Sequence, residues 1–384
     1  MSDWDRAFHA YGPARGGEEL LDVLRHGGEE AYVREYPEAV WQPYSFLWSA
    51  LYCGGRITPA TVLALRYLTD AVIADDFGGT DRTLREAAVW WIRDVARAAV
   101  TAIDPDGDRR TAARRDEPAV SAWLDGHLSR ERPIFDGGDG SGEVLLAAAR
   151  ADCFDLLPAC HARLSTLPGR ELPDRLRAAL ASALATLVAH PRLRHHRDEV
   201  VARHTEEARH GTPYHRASML IGLGELGAAT IGWLTDQDVV VRVCAALAPG
   251  LATDDAATEV LRRATLDPPA LDRDLDGMHL HQMPFHQRAV AEALCSRFDR
   301  FDPLVDSAVA AVGYDGIQGP GILAEPYLRK AFPAGLPIRG TAAQRALART
   351  VADHDGLWRD SGSPTRSFAR IGLPADRAAW VRAS

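Results

Sequence analysis

Short runs of apolar residues spaced i, i+3, i+4 and i+7 recur along the whole 384-residue chain, and Gly, Pro or Asp interrupts them after a few helical turns. Such helices cannot hide an apolar stripe alone, so they must stack on neighbours, either as a bundle or as a solenoid. Alternating Val, Ile, Thr and aromatic runs closed by hairpin turns do not occur. The pattern predicts an all-α protein. Candidate helices cover 17–32, 43–53, 58–75, 81–103, 117–130, 143–151, 153–166, 171–189, 196–209, 214–224, 227–235, 239–251, 254–266, 285–297, 302–312, 321–331, 341–353 and 374–383.

At 46% apolar and 25% charged residues, the chain has ample material for a buried core. It holds no stretch of about 18 uncharged apolar residues, and MSDWDRAFHAYG lacks the basic-then-apolar order of a secretory leader, so a cytoplasmic location without membrane contact is expected. Cys53, Cys153, Cys160, Cys244 and Cys295 are scattered and never form C-x-x-C, which argues against a disulfide framework and a thiolate zinc site. They read as reduced core residues. Lys330 is the only lysine beside 43 arginines, which excludes a P-loop, a kinase-type phosphate lysine and a Schiff-base nucleophile. A net charge of −9 disfavours wrapping nucleic acid, although a local basic patch remains compatible with it.

The clearest repeat unit is 214–266. Its Leu220, Gly222, Leu223, Gly224 and Gly227, followed by Ile231, Leu234, Asp236, Asp238, Val241, Arg242, Ala245 and Leu247, resemble the D-x-D-x-x-V-R-x-x-A-A-x-A-L pattern of HEAT-like repeats. Small residues there let paired helices approach closely. Asp residues cap the helix starting near Val239, and Arg242 reaches the acidic or carbonyl edge of an adjacent turn. Segments 44–68 and 341–383 resemble, more weakly, parts of bacterial HEAT-repeat proteins without assigned activity. The resemblance implies an α-solenoid of stacked HEAT-like helix pairs, an ARM/HEAT superhelix. Residues 1–135 would supply N-terminal helical repeats, and 136–384 a HEAT-like array with C-terminal capping helices. The Gly/Asp-rich 136–142 is the expected hinge.

Four connections exceed an ordinary helix joint: 104–116, 132–142, 267–284 and 332–340. Long loops on a rigid scaffold carry recognition surfaces, so function is sought there first. Around 272–286, Asp272, Asp274, Asp276, His279, His281 and His286 form the densest set of acid–base or ligating groups. Without a fixed-spacing motif, no metal is expected, and a solvated acidic loop is preferred to a metal site. His190, His195, His196, His204, His210 and His215 are interleaved with Arg192, Arg194 and other arginines. This stretch suits an acidic partner or a phosphate, against the plainer reading of a solvated face. Trp90, Trp91 and Asp94 offer the residue types that HEAT-like DNA glycosylases use to hold a damaged nucleotide, against a core role for adjacent tryptophans. GLGELG at 222–227 satisfies G-x-G-x-x-G but follows helical spacing rather than a strand, so no cofactor is expected. Ser141 in GDGSGE lacks the nucleophile-elbow context.

The sequence therefore points to a scaffold rather than an enzyme, one that binds another macromolecule, most readily a protein, through a concave surface and long loops, with catalysis kept as the alternative. Partner-binding candidates are Arg192, Arg194, His196, Trp90, Trp91 and Asp94. The alternative is an enzyme with Asp274, Asp276, His279, His281 or His286 as acid, base or orienting carboxylate, acting on a small molecule or peptide. A glycosylase-type repair protein is a third reading, and nucleic acid is the least favoured partner.

Overall fold

Helix-forming residues dominate each segment, and helices follow. The computed structural model describes residues 2–33, 42–101, 104–129, 140–167, 171–276, 286–314, 323–359 and 368–384. Among these the fold is all-α apart from one isolated bridge and a two-stranded hairpin, β1 (Phe8–His9) paired antiparallel with β2 (Gly12–Pro13). The chain forms two compact units, residues 1–204 and 205–384.

The first unit contains α1 (Gly17–His26), α2 (Glu30–Val33), α3 (Pro43–Phe46), α4 (Pro59–Ala71), α5 (Arg82–Thr101), α6 (Pro105–Ala112), α7 (Pro118–Leu128), α8 (Gly140–Leu164) and α9 (Asp174–Leu187). The boundary falls within α10 (Arg197–Arg209). Helix α5 packs on α9, α4 packs on α8, and α5 also touches α4 and α8, so these four long helices share one core. Residues on both sides of 135/136 belong to this unit, because α8 is packed against α4, α5 and α6.

Three helix boundaries depart from the sequence pattern for local reasons. The expected helix 17–32 divides at Gly27, whose φ of +74° breaks the helical path; a Cβ there would lie 2.0 Å from the carbonyl oxygen of Gly78. The expected pair 143–151 and 153–166 is instead the continuous α8. Asp152, at the anticipated break, stays on the exposed side, and Pro158 is accommodated inside the helix. The expected helix 43–53 becomes α3 followed by a π-helical turn over Leu47–Leu51.

The hairpin brings an ionisable group into the core. Phe8 is fully buried with Leu124, Leu128 and Leu146, and the ring of His127 lies 4.8 Å from that of Phe8. His9 is also buried, and its Nδ1 accepts from the Tyr11 amide at 3.1 Å. Burial, followed by repulsion from His127, lowers the His9 pKa to about 4. The neutral ring is therefore native, whereas the unfolded chain takes up a proton below about pH 6.5. Stability contributed by neutral His9 is present above that value and is lost as pH falls toward 4. A His9→Asn variant keeps an acceptor for the Tyr11 amide but cannot titrate. The stability gap between wild type and variant, measured by urea unfolding, should shift by about 2 kcal/mol between pH 7 and pH 4.5, at the expense of wild type. A gap independent of pH would contradict the assignment.

The second unit contains α11 (Pro213–Glu225), α12 (Val239–Ala246), α13 (Asp255–Thr265), α14 (Pro268–Asp276), α15 (His286–Ser296), α16 (Val305–Val312), α17 (Glu325–Ala331), α18 (Ala342–Asp353), α19 (Gly356–Arg359) and α20 (Arg377–Ala383). Its principal contacts join helices near one another in order: α11 with α12, α12 with α13, α13 with α15 and α16, α15 with α17, α16 with α18, and α18 with α20. Asp238 caps α12, accepting from the amides of Val240 at 2.8 Å and Val241 at 3.2 Å. Arg242 donates to the carbonyls of Asp236 and Gln237 in the turn just before its own helix. A Cβ on Gly224 would sit 3.1 Å from the Ala248 Cα, so the small residue permits the close approach of that turn. No described helix is long and apolar enough to cross a membrane.

Candidate functional site

The segment 104–116 is not an extended loop. Asp104 takes the cap position, Pro105 supplies the first helical φ, and α6 runs on to Ala112, followed by turns to Asp116. Helix α6 packs on α8. One α6 residue is drawn inward: Asp108 is nearly buried, and its carboxylate receives Arg150 of α8 through Nε at 3.1 Å and Nη2 at 2.7 Å. Glu143 takes a further bond from Arg150 at 2.5 Å. Although burial opposes its charge, these carboxylates hold the guanidinium above its ordinary pKa, so it is a fixed cation.

Arg110 on α6 and Arg114 in the turns that follow it face outward, with 72% and 60% of their side chains exposed. Arg110 is 3.5 Å from Asp104, and Arg114 forms a two-point bond with Glu117, whose carboxyl it holds below its usual pKa. Opposite them, the Cys53–Gly55 turn, with Gly54 and Gly55 at positive φ, presents exposed Arg56. Ala98 and Ile57 close the apolar side. The result is a solvent-open depression of about 780 Å³. Its walls carry Arg56, Arg110, Arg114 and Arg150 against Asp104 and Asp108. An acidic chain thus gathers four guanidiniums at one concavity, three of them paired with carboxylates. Arginine forks suit carboxylates and phosphates, and Thr111 adds a hydroxyl. Among the described residues, the lining contains neither His, Cys nor Lys. What the lining offers chemically is guanidinium N–H donors and one hydroxyl.

Sequence spacing marked 104–116 as a recognition segment, and the structure places Arg110 and Arg114 there. Arg56 and Arg150 had no local signal, because they reach the depression from a glycine turn and from the middle of a long helix.

The other expected site residues are dispersed. Asp272 and Asp274 stand on a helix rather than in a loop: Asp267 accepts from the Ala270 amide, Pro268 opens α14, and Leu271 and Leu275 are buried on one face. Asp272 accepts a bond from the Tyr314 hydroxyl, and Asp274 lies 3.9 Å from Arg273. Asp276 ends α14 and His286 begins α15, while His279 and His281 lie outside the described residues. Among the described residues, no group of three or more His, Cys, Asp or Glu is placed to hold a metal ion.

Arg192 and Arg194 are exposed on the 3₁₀ turn Pro191–His196. His196 stacks at 4.6 Å on His161 and lies 4.0 Å from His195. Burial, then the neighbouring His196, lowers the His161 pKa. The solvated-face reading fails for His204 and His215, both 1% exposed: His204 Nδ1 meets the Val200 carbonyl at 2.9 Å, and His215 Nε2 meets Glu207 at 2.9 Å. Trp90 and Trp91 are corrected as partner-binding candidates, because at 1% and 0% exposure neither indole reaches a surface. Asp94, on the same helix, accepts from Arg93 and from the Trp48 indole. GLGELG lies at the end of α11 with no strand before it among the described residues, which removes the dinucleotide geometry.

All five cysteines are free thiols, and four are buried. Burial pushes Cys160 to about 11 and Cys244 to about 12, which leaves them unreactive. Compared with family models, with curated proteins and with solved structures, the chain matches none.

Proposed function

We propose that the chain is a HEAT-like helical-repeat scaffold that binds an acidic segment of a protein partner at the arginine-lined depression of its first unit. The carrying observation is the gathering of guanidiniums: Arg56, Arg110, Arg114 and Arg150 line one depression in a chain of net charge −9, the last three held by Asp104, Asp108, Glu117 and Glu143. Long-range repulsion turns away most acidic proteins, so only a segment able to pair with several guanidiniums gains by approaching. The exposed Arg110 and Arg114 are mobile enough to exchange their present carboxylate partners for those of a ligand, because exposed pairs are worth about 0–1 kcal/mol. Two observations support the repeat reading: contacts in the second unit run mainly between helices close in order, and the Asp238 cap and Gly224 approach have the local geometry expected for a HEAT-like pair.

The test is fluorescence anisotropy with a labelled peptide of alternating Glu and Ser, compared with its Lys/Ser counterpart. The acidic peptide should bind saturably at low salt and weaken steeply as salt rises. The double reversal Arg110→Glu with Arg114→Glu should weaken it at least about tenfold while leaving the unfolding midpoint nearly unchanged, since both side chains are exposed. Equal binding of the two peptides, or an unaffected double variant, would end the proposal.

A further inference from the structure

We propose that a second cavity, also within the first unit but separate from the arginine-lined depression, binds a free apolar α-amino acid. It measures about 560 Å³ and lies between the segment following α4, the start of α5 and the start of α9. A volume of that size falls within the roughly 300–1,000 Å³ of small-molecule sites.

The cavity is divided by chemistry. Phe77 and Leu176, both nearly buried, form an apolar floor with the half-buried Leu172 and with Pro173. Two arginines enter from the first turn of α5. Arg85 is buried, with its Nε donating to the Val72 carbonyl at 2.7 Å, whereas Arg82 is exposed at the rim. Two carboxylates complete the wall: Asp75, 3.8 Å from Arg85, and Glu171, both exposed. Among the described residues, cationic and anionic side chains are therefore equal in number, beside an apolar surface.

That balance selects the ligand class. A phosphate or dicarboxylate that gained from Arg82 and Arg85 would bring surplus negative charge against Asp75 and Glu171. A neutral apolar solute would displace water from the exposed Arg82, Asp75 and Glu171 and return nothing for it. A zwitterion meets both requirements: its carboxylate pairs with the Arg82 and Arg85 guanidiniums, its ammonium with Asp75 and Glu171, and its side chain covers the floor.

The wall is held before any ligand arrives. The Gly78 amide donates to the Arg25 carbonyl at 2.7 Å, fixing the turn that carries Asp75 and Phe77 against the end of α1. Preorganisation of this kind lowers the cost of ordering on binding.

Isothermal titration of the full chain with L-leucine and L-phenylalanine is the test, beside N-acetyl-leucine, which lacks the ammonium, and leucine methyl ester, which lacks the carboxylate. The free amino acids should give saturable heat, and both blocked forms should bind at least about tenfold more weakly. Arg82→Ala, which removes an exposed side chain, should also lose at least about tenfold with an unchanged unfolding midpoint. Leu172→Trp, which fills a half-buried position, should abolish the heat. No saturable binding of either amino acid at millimolar concentration, or equal binding of the acetylated or esterified form, would overturn the proposal. Acidic-peptide binding at the other depression reads out independently, so failure of either proposal is distinguishable from failure of the other.

Discussion

A Trp91→Ala variant is expected to lose about 4–5 kcal/mol of unfolding free energy, the upper range for deleting a buried aromatic. Trp91 is fully buried in α5, the helix that packs on both α8 and α9, so its removal opens a void that the four-helix core cannot close without shifting several elements. A polar cost adds to this. The indole Nε1 donates at 2.7 Å to the Leu47 carbonyl, at the start of the π-helical turn Leu47–Leu51. Losing that donor leaves a buried acceptor unmatched, worth about 1–3 kcal/mol. Trp91→Phe separates the two contributions, since it keeps most of the volume and loses the bond. Urea unfolding should therefore rank wild type above Trp91→Phe and Trp91→Phe above Trp91→Ala. A partner-contact role predicts the opposite pattern, with binding lost and stability kept. Stability within 1 kcal/mol of wild type for Trp91→Ala would contradict the core assignment.

The same helix shows what the sequence could and could not disclose. Its period was visible over 81–103, and α5 forms over Arg82–Thr101. The pattern did not disclose that Arg85, Glu86 and Arg93 are buried on it, because periodicity reports where apolar residues fall and not which charges find a partner across the core. Helix starts were misread at two Asp-Pro steps. Asp104-Pro105 and Asp267-Pro268 look like turn punctuation, yet each proline occupies a first helical turn, where its missing N–H costs nothing. Helix α6 thereby takes 105–112 of the first expected connection, and α14 takes 268–276 of the second, whose residues 277–284 lie outside the described ones. The connection 332–340 did stay irregular, and Ile338 is fully exposed there. The arginine-lined depression was half legible. Arg110 and Arg114 fall in a segment marked by its length, whereas Arg150 is brought in by the packing of α6 on α8 and Arg56 by the Cys53–Gly55 turn, which touches α5. The cavity beneath Arg82 and Arg85 had no local signature, because equal opposite charges from three segments look in sequence like ordinary surface residues.

Glu325 is the position at which a single charge change should most damage the second unit. It is 2% exposed in the first turn of α17 and accepts from three arginines: Arg288 of α15 at 2.9 Å, Arg329 one turn along at 2.7 Å, and Arg370 near the C-terminus at 2.7 Å. One carboxylate therefore ties together segments distant in sequence. Glu325→Ala leaves three guanidiniums converging on a void, with Arg288 keeping its bond to Glu292 at 2.8 Å, and about 3 kcal/mol should be lost. The partial exposure of Arg329 and Arg370 keeps the figure at the low end of the range for buried pairs. Glu325→Gln preserves shape but not charge and should fall between. Burial alone would raise the Glu325 pKa, but bonds from Arg288 and Arg329 outweigh it, and the carboxyl titrates below its ordinary value. The ionised form is thus the native one. Its contribution is complete above the unfolded-state pKa of about 4.3 and drains away as pH falls through the lower folded-state value. Hydrogen exchange should show faster opening of α15 and α17 in Glu325→Gln at pH 7, with the difference from wild type narrowing as the native carboxyl is protonated. A difference that persists unchanged into that acidic range would mean that Glu325 acts by shape and not by charge.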